Sequence, residues 1–402
     1  MARGLTALGV TLLLCLCQVL TMLGAASFPA LIPEFVSAWG ISNTQAGWIA
    51  GIYNFGYVAA VPLLVTLTDR RDAKAIYIFS ALLAGVSHLA FAWLAEGFWS
   101  ALILRALAGA GLAGNYMVGL RLLSDRVSGP KSSRALSYYT SCFSIGTALS
   151  VLMAGESFQL FGWRGAFLLA GAGALLAAFL LIPLRSASKP EGEGHSFAQL
   201  LDPRPIFANG RAMAYVLGYA GHVWELFGLR AWVVAFLAFA ALEAGREESF
   251  LSPTRVVFLM LLVALPASVF GNEMALKLGR RRWNGGALAA SGLLSCLVGF
   301  AWGLPLPALV ALLLLYSFAV NADSSALTAG VVEAADPQRK GATMALHSLM
   351  GFGAGSLSPL VFGLLLDGFG TGSALAWGLG FASLALGPLL GVWALASLGR
   401  RR

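Results

Sequence analysis

The residues of this chain that can do chemistry stand where water is scarce. His222, Glu225 and Arg230 all lie in one long apolar run, 211–240. An ionisable group at the centre of a membrane span costs about 2.5–3.5 kcal/mol on insertion scales, so each needs a partner or a task. His222 falls near the middle of the run. On a helix of about 3.6 residues per turn, Glu225 sits about 60° to one side of it and Arg230 about 80° to the other. All three can therefore face one polar cavity. Glu225 or His222 would exchange protons there, while Arg230 either pairs with Glu225 or holds an anionic substrate. The plainer reading is a fixed Glu225–Arg230 bridge that only joins helices.

Other polar residues interrupt other apolar runs. Arg105 lies inside 98–120, with Asn115 and Tyr116 after it on the same helix, placed to line a cavity. Asp323, next to Asn321 in 306–330, reads either as a gate contact or as a cation or proton site. His347 lies between Met344 and Met350, three residues from each. Such atoms suit copper, but positions i, i+3 and i+6 spread over about 240° of one helix and do not converge on one ion. His347 is then a cavity-lining or a packing residue. His88 and Glu156 are isolated polar residues and read as structurally paired. There is no GxxxxGK[ST] phosphate loop, no CxxC pair and no compact catalytic constellation. ATP coupling, a resident metal or cofactor, and enzyme activity are therefore all unsupported.

What holds these residues is set by composition. Of 402 residues, 58% are hydrophobic and 11% charged, against about 25% charged in soluble domains. The solvent for most of the surface must be lipid. Runs long enough for a hydrocarbon core of about 30 Å fall near 7–30, 43–66, 74–95, 98–120, 135–158, 165–185, 211–240, 254–276, 284–303, 306–330, 341–366 and 372–397. The net charge of +8 is a topology signal rather than a nucleic-acid footprint. With the N-terminus in the cytoplasm, the cytoplasmic turns collect all basic residues except Arg105, Arg164, Arg230, Arg246 and Arg255. That is the positive-inside pattern of an inner-membrane protein with both termini cytoplasmic.

The polar stretch 186–210 divides the chain into a bundle over 1–185 and another over 211–402, and Phe197 to Leu201 within it suits a short surface helix. An internal repeat supports the split. A shift of 207 lays Ser141 on Ser348 and Gly146 on Gly353, and a shift of 208 lays Phe161-Gly162 on Phe369-Gly370.

Three segments carry a family resemblance. The loop Val65-Thr-Leu-Thr-Asp69-Arg70-Arg71-Asp72-Ala73-Lys74 resembles the GxLaDRxGRR loop of the major facilitator superfamily, with Val65 and Asp72 in place of its glycines. Its partial second copy is Gly271-Asn-Glu273-Met-Ala-Leu-Lys277. Leu104-Arg105-Ala-Leu-Ala108-Gly109-Ala-Gly111 resembles the RxxqGxG motif, and Phe161-Gly162-Trp163-Arg164 the start of helix six. The fifth helix lacks the GPxxGG motif of drug/proton antiporters.

The resemblance implies an all-α membrane protein of twelve transmembrane helices in two pseudo-symmetric six-helix bundles, rocking about a midplane site. It implies a role for Arg105 in proton coupling. It also implies a cytoplasmic gate carried by Asp69 and Arg70, to which Lys74, Arg134 and Glu273 add charges at the same face. The expected function is secondary transport of a small solute across the bilayer by a monomer, proton-coupled, with uptake of a small organic anion favoured. A proton-driven exporter of drugs or amphiphiles and a copper importer are the alternatives.

Overall fold

A computed structural model describes residues 6–68, 70–127, 130–185, 204–245 and 251–398. Among the described residues every regular element is helical, as it must be where no water is at hand to satisfy backbone polar groups. The elements are α1 (Ala7–Met22), α2 (Ile32–Trp39), α3 (Asn43–Leu67), α4 (Ala73–Leu94), α5 (Phe98–Ser124), α6 (Pro130–Leu181), α7 (Arg204–Ala208), α8 (Gly210–Glu243), α9 (Pro253–Leu278), α10 (Arg280–Val298), α11 (Leu306–Asn321), α12 (Ser324–Ala334), α13 (Lys340–Phe369), α14 (Ala374–Leu384) and α15 (Leu386–Ser397).

Nine described stretches are long and apolar enough to cross a membrane. One of them, α6, is two rods joined at Gly162, whose φ of 67° no helix interior has. Counting α6 as two rods and adding α1 and α10, the described residues supply twelve helical rods for the expected crossings. Gly162 and Gly370 occupy equivalent turns of the repeat, and both have positive φ, 67° and 84°. A side chain there would be strained, which is why the repeat keeps glycine at both.

Helix starts follow local capping chemistry. Asp72, where the family loop has its second glycine, accepts from the Lys74 amide at 3.0 Å and so begins α4. Asn209 accepts from the Ala212 amide to begin α8, and Ser252 with Pro253 begins α9.

Two expected spans are not continuous helices. The first, 7–30, stops being helical at Met22, turns, and resumes after a 3₁₀ turn at Pro29–Leu31 as α2. The tenth breaks between Asn321 and Ser324 into α11 and α12. In both, a polar side chain takes up what the break leaves open, as described below. Of the polar stretch 186–210, the segment Phe197 to Leu201 lies outside the described residues, and α7 is helical near its end.

Contacts divide the chain into two compact units. One comprises Met1–Leu31 and Ile52–Gly194, the other Ile32–Gly51 and His195–Arg402. The first unit has a core of Leu14, Tyr77, Val118, Leu122, Tyr139 and Leu181. The second has one around Val216, Leu288, Leu327, Val331 and Leu395.

Candidate functional site

The second unit places a polar cluster at the break between α11 and α12. Breaking the helix frees the Ala322 carbonyl, and the Trp283 indole N–H donates to it at 2.9 Å. Gly271 of α9 lies against that same carbonyl, so closely that a Cβ would overlap it. Asp323 follows at the N-cap position of α12, yet its carboxylate does not cap the helix. It reaches His222 of α8 instead, with Oδ1 2.8 Å from Nδ1. The distance is that of an ion pair, while the approach lies off the line of a well-formed hydrogen bond. Both residues are only 1% exposed.

Glu225, one helical turn beyond His222, is fully buried. Its two oxygens are held separately. Ser291 Oγ of α10 donates to Oε2 at 2.7 Å, and Tyr316 Oη of α11 donates to Oε1 at 3.1 Å. The expected bridge to Arg230 is not among its bonds. The two residues lie about 140° apart around α8, so the carboxylate turns to α10 and α11 while the arginine faces elsewhere. Arg230 is partly exposed, and its buried Nε has no hydrogen-bond partner among the described residues.

His347 of α13 joins the cluster through stacking. Its ring lies 3.9 Å from that of Tyr219, which in turn lies 5.8 Å from His222. The hydroxyl of Thr328 approaches His347 Nε2 at 3.4 Å. Met344 and Met350 pack against the apolar core of the unit. Among the described residues no group of three or more His, Cys, Asp and Glu side chains is arranged to hold a metal ion.

The first unit gathers the other expected residues differently. Arg105, 1% exposed, donates from Nη1 to the Gly24 carbonyl at 2.8 Å and from Nη2 to that of Ala25 at 2.9 Å. Its guanidinium also lies 4.1 Å from the Tyr53 ring centre. The arginine thus takes up carbonyls that the early end of α1 leaves without helical partners. Asn115 is fully buried and neither atom of its side-chain amide has a partner among the described residues, while its backbone carbonyl accepts from Tyr139 Oη at 2.6 Å. Tyr116 stacks on Tyr139 and meets the Phe143 ring at a tilt.

The expected gate residues are not gathered. Asp69 lies outside the described residues, and Arg70, Arg134 and Glu273 are exposed. Lys74 Nζ donates to the Ile182 carbonyl at 2.7 Å, closing the end of α6 within its own unit. The charged contact after α9 runs through Arg280, whose guanidinium donates to Glu333 at 2.7 Å and to Asn272 at 3.0 Å. Sequence spacing missed these three, and it missed Ser291 and Tyr316, because hydroxyls and exposed charges are common in such chains and only the fold shows what they touch.

The family model of the Major Facilitator Superfamily matches residues 14–256, more than half of the chain. The chain belongs to that superfamily. Human protein spinster homolog 1 is 24% identical over 288 residues, covering 67% of this chain and 53% of the relative. This chain thus spans about half the length of that protein. The niacin transporter NiaP of Acinetobacter baylyi is 21% identical over 304 residues, 67% of each chain. Among solved structures, a bacterial homologue of the human lysosomal transporter Spinster matches at a TM-score of 0.80 with 16% identity, over 98% of this chain and 96% of that one. The nucleoside transporter NupG matches at 0.80 with 13% identity, over 98% and 100%. This superfamily member is a multi-pass membrane protein built like a transporter of small molecules and not like an enzyme.

Proposed function

We propose that this protein is a proton-coupled secondary transporter that takes up a small organic anion across the inner membrane by alternating access, with its termini in the cytoplasm. The observation that carries the reading is the state of Glu225. Its carboxyl is sealed from solvent, held by the Ser291 and Tyr316 hydroxyls and paired with no cation among the described residues, one turn along α8 from His222, which pairs with Asp323. A carboxylate left charged there would be costly. A site that gains a proton from one side of the membrane and loses it to the other turns that cost into coupling.

Arg230 supports the anionic substrate. An arginine within a span is retained for a partner, and this one has no ion pair or hydrogen bond to a described side chain. One relative is named as a niacin transporter, and niacin is a small carboxylic acid, which supports the reading. The copper alternative draws no comparable support: His347 is engaged by Tyr219 and Thr328, and its flanking methionines face the core.

The test is solute-dependent proton entry into proteoliposomes loaded with a pH-sensitive dye, across a panel of small monocarboxylates, nucleosides and hydrophobic cations. Acidification driven by monocarboxylates supports the reading. Acidification driven only by another class, or uptake that ignores the proton gradient, removes it.

A further inference from the structure

The start of α3 is fastened to the end of α13 by a set of bonds that neither the cluster around Glu225 nor the basic turns explain. Asp367 Oδ1 accepts from the Asn43 amide at 2.9 Å and from Asn43 Nδ2 at 2.8 Å. Its Oδ2 accepts from the Thr44 amide at 2.8 Å and from Thr44 Oγ1 at 2.6 Å. Asn43 Nδ2 also donates to Thr371 Oγ1 at 2.8 Å. A carboxylate at a helix N-terminus gains both from unsatisfied amides and from the positive end of the helix dipole.

Below this contact the two helices run antiparallel and very close. Gly47 faces the Pro359 carbonyl and Gly51 the Ser356 carbonyl, each too near for a Cβ. Asn43, Gly47 and Gly51 recur every four residues, so they form one face of α3. That face belongs by contact to the second unit, whereas α3 from Ile52 onward belongs to the first.

The fastening is releasable by construction. Ser42 and Gln45 already form a reciprocal cap, the Ser42 amide donating to Gln45 Oε1 at 2.9 Å and the Gln45 amide to Ser42 Oγ at 3.1 Å. The helix therefore keeps its start when Asp367 leaves. Asp367 itself is exposed, so water can replace its partners. The segment lies at the opposite end of α3 from Arg70 and Arg71.

We propose that Asp367, Asn43 and Thr44 form a clasp that closes the end of the transport path opposite the basic turns, and that substrate enters when it opens. The inference rests on the alternating-access reading. In that mechanism, helices from the two halves of the sequence must part at whichever end opens.

The experiment is thiol accessibility in proteoliposomes. Ser356→Cys, introduced after the four native cysteines are replaced by serine, places a reporter opposite Gly51, beneath the clasp. Labelling by a small membrane-impermeant maleimide is expected to rise about tenfold on adding Asp367→Ala, and severalfold with Asp367→Asn, which keeps the shape but repels the Thr44 amide. Unchanged labelling in both variants overturns the proposal. So does a rise equalled by Thr66→Ala, a control far from the clasp that reports general loosening. Joining Thr44→Cys and Thr371→Cys with a short thiol cross-linker is expected to stop uptake until a reductant is added; undiminished uptake overturns the gate. Labelling needs no substrate, so a protein that carries none of the tested solutes still reports on the clasp.

Discussion

His222 Nδ1 lies 2.8 Å from Asp323 Oδ1, with both side chains sealed from solvent. The pair joins α8 to the break in the tenth span, where Asp323 gives up capping α12 to reach the imidazole. Removing one partner of a buried polar pair leaves the other unsatisfied, at a cost of about 1–3 kcal/mol. Asp323→Asn is therefore expected to lower the melting temperature in detergent by several degrees. The double variant His222→Gln/Asp323→Asn should recover part of that loss. Equal losses in single and double variants would show that the two residues act separately.

Tyr316 and Ser291 hold one oxygen each of Glu225. Removing a donor from a buried carboxyl leaves its oxygen unsatisfied, at a cost of about 1–3 kcal/mol. Tyr316→Phe and Ser291→Ala are each expected to slow proton-coupled uptake about tenfold or more, with little change in substrate binding. A matching loss in binding would place these hydroxyls on the substrate.

Arg105 has two backbone acceptors and an aromatic face. Lysine cannot reach two carbonyls in a fixed fork. Arg105→Lys is expected to destabilise the protein by about 2 kcal/mol, and Arg105→Ala by more, through orphaned carbonyls at the end of α1. Thermal unfolding with intrinsic fluorescence measures both. An unchanged melt for Arg105→Ala would separate this residue from the fold.

Gly162→Ala is expected to cost about 1–2 kcal/mol, the penalty for a side chain in left-handed backbone. Gly368→Ala, at an uncrowded position within α13, should cost nothing measurable. Comparing their melting curves checks that the turn, and not glycine content, sets the cost.

Much of this architecture is legible along the chain because lipid imposes it. Apolar run length gives the crossings, and the equivalent turns at Gly162 and Gly370 emerge from a weak repeat. His222, Glu225 and Asp323 stand out because charge is expensive there, and the fold brings them into one cluster. Angles around one helix show which residues can share a face, but not which neighbouring helix meets them. The Glu225–Arg230 bridge was the nearest pairing along α8, yet Ser291 and Tyr316 are 66 and 91 residues away. Asp367 gave no signal either, since a single aspartate near a span end is ordinary until a helix start is found against it.

The central claim is that Glu225 carries the coupled proton. In proteoliposomes, Glu225→Gln is expected to retain solute binding and solute exchange at equal pH, while losing both accumulation against a gradient and solute-driven acidification. Accumulation by Glu225→Gln at the wild-type level, with undiminished acidification, would contradict it.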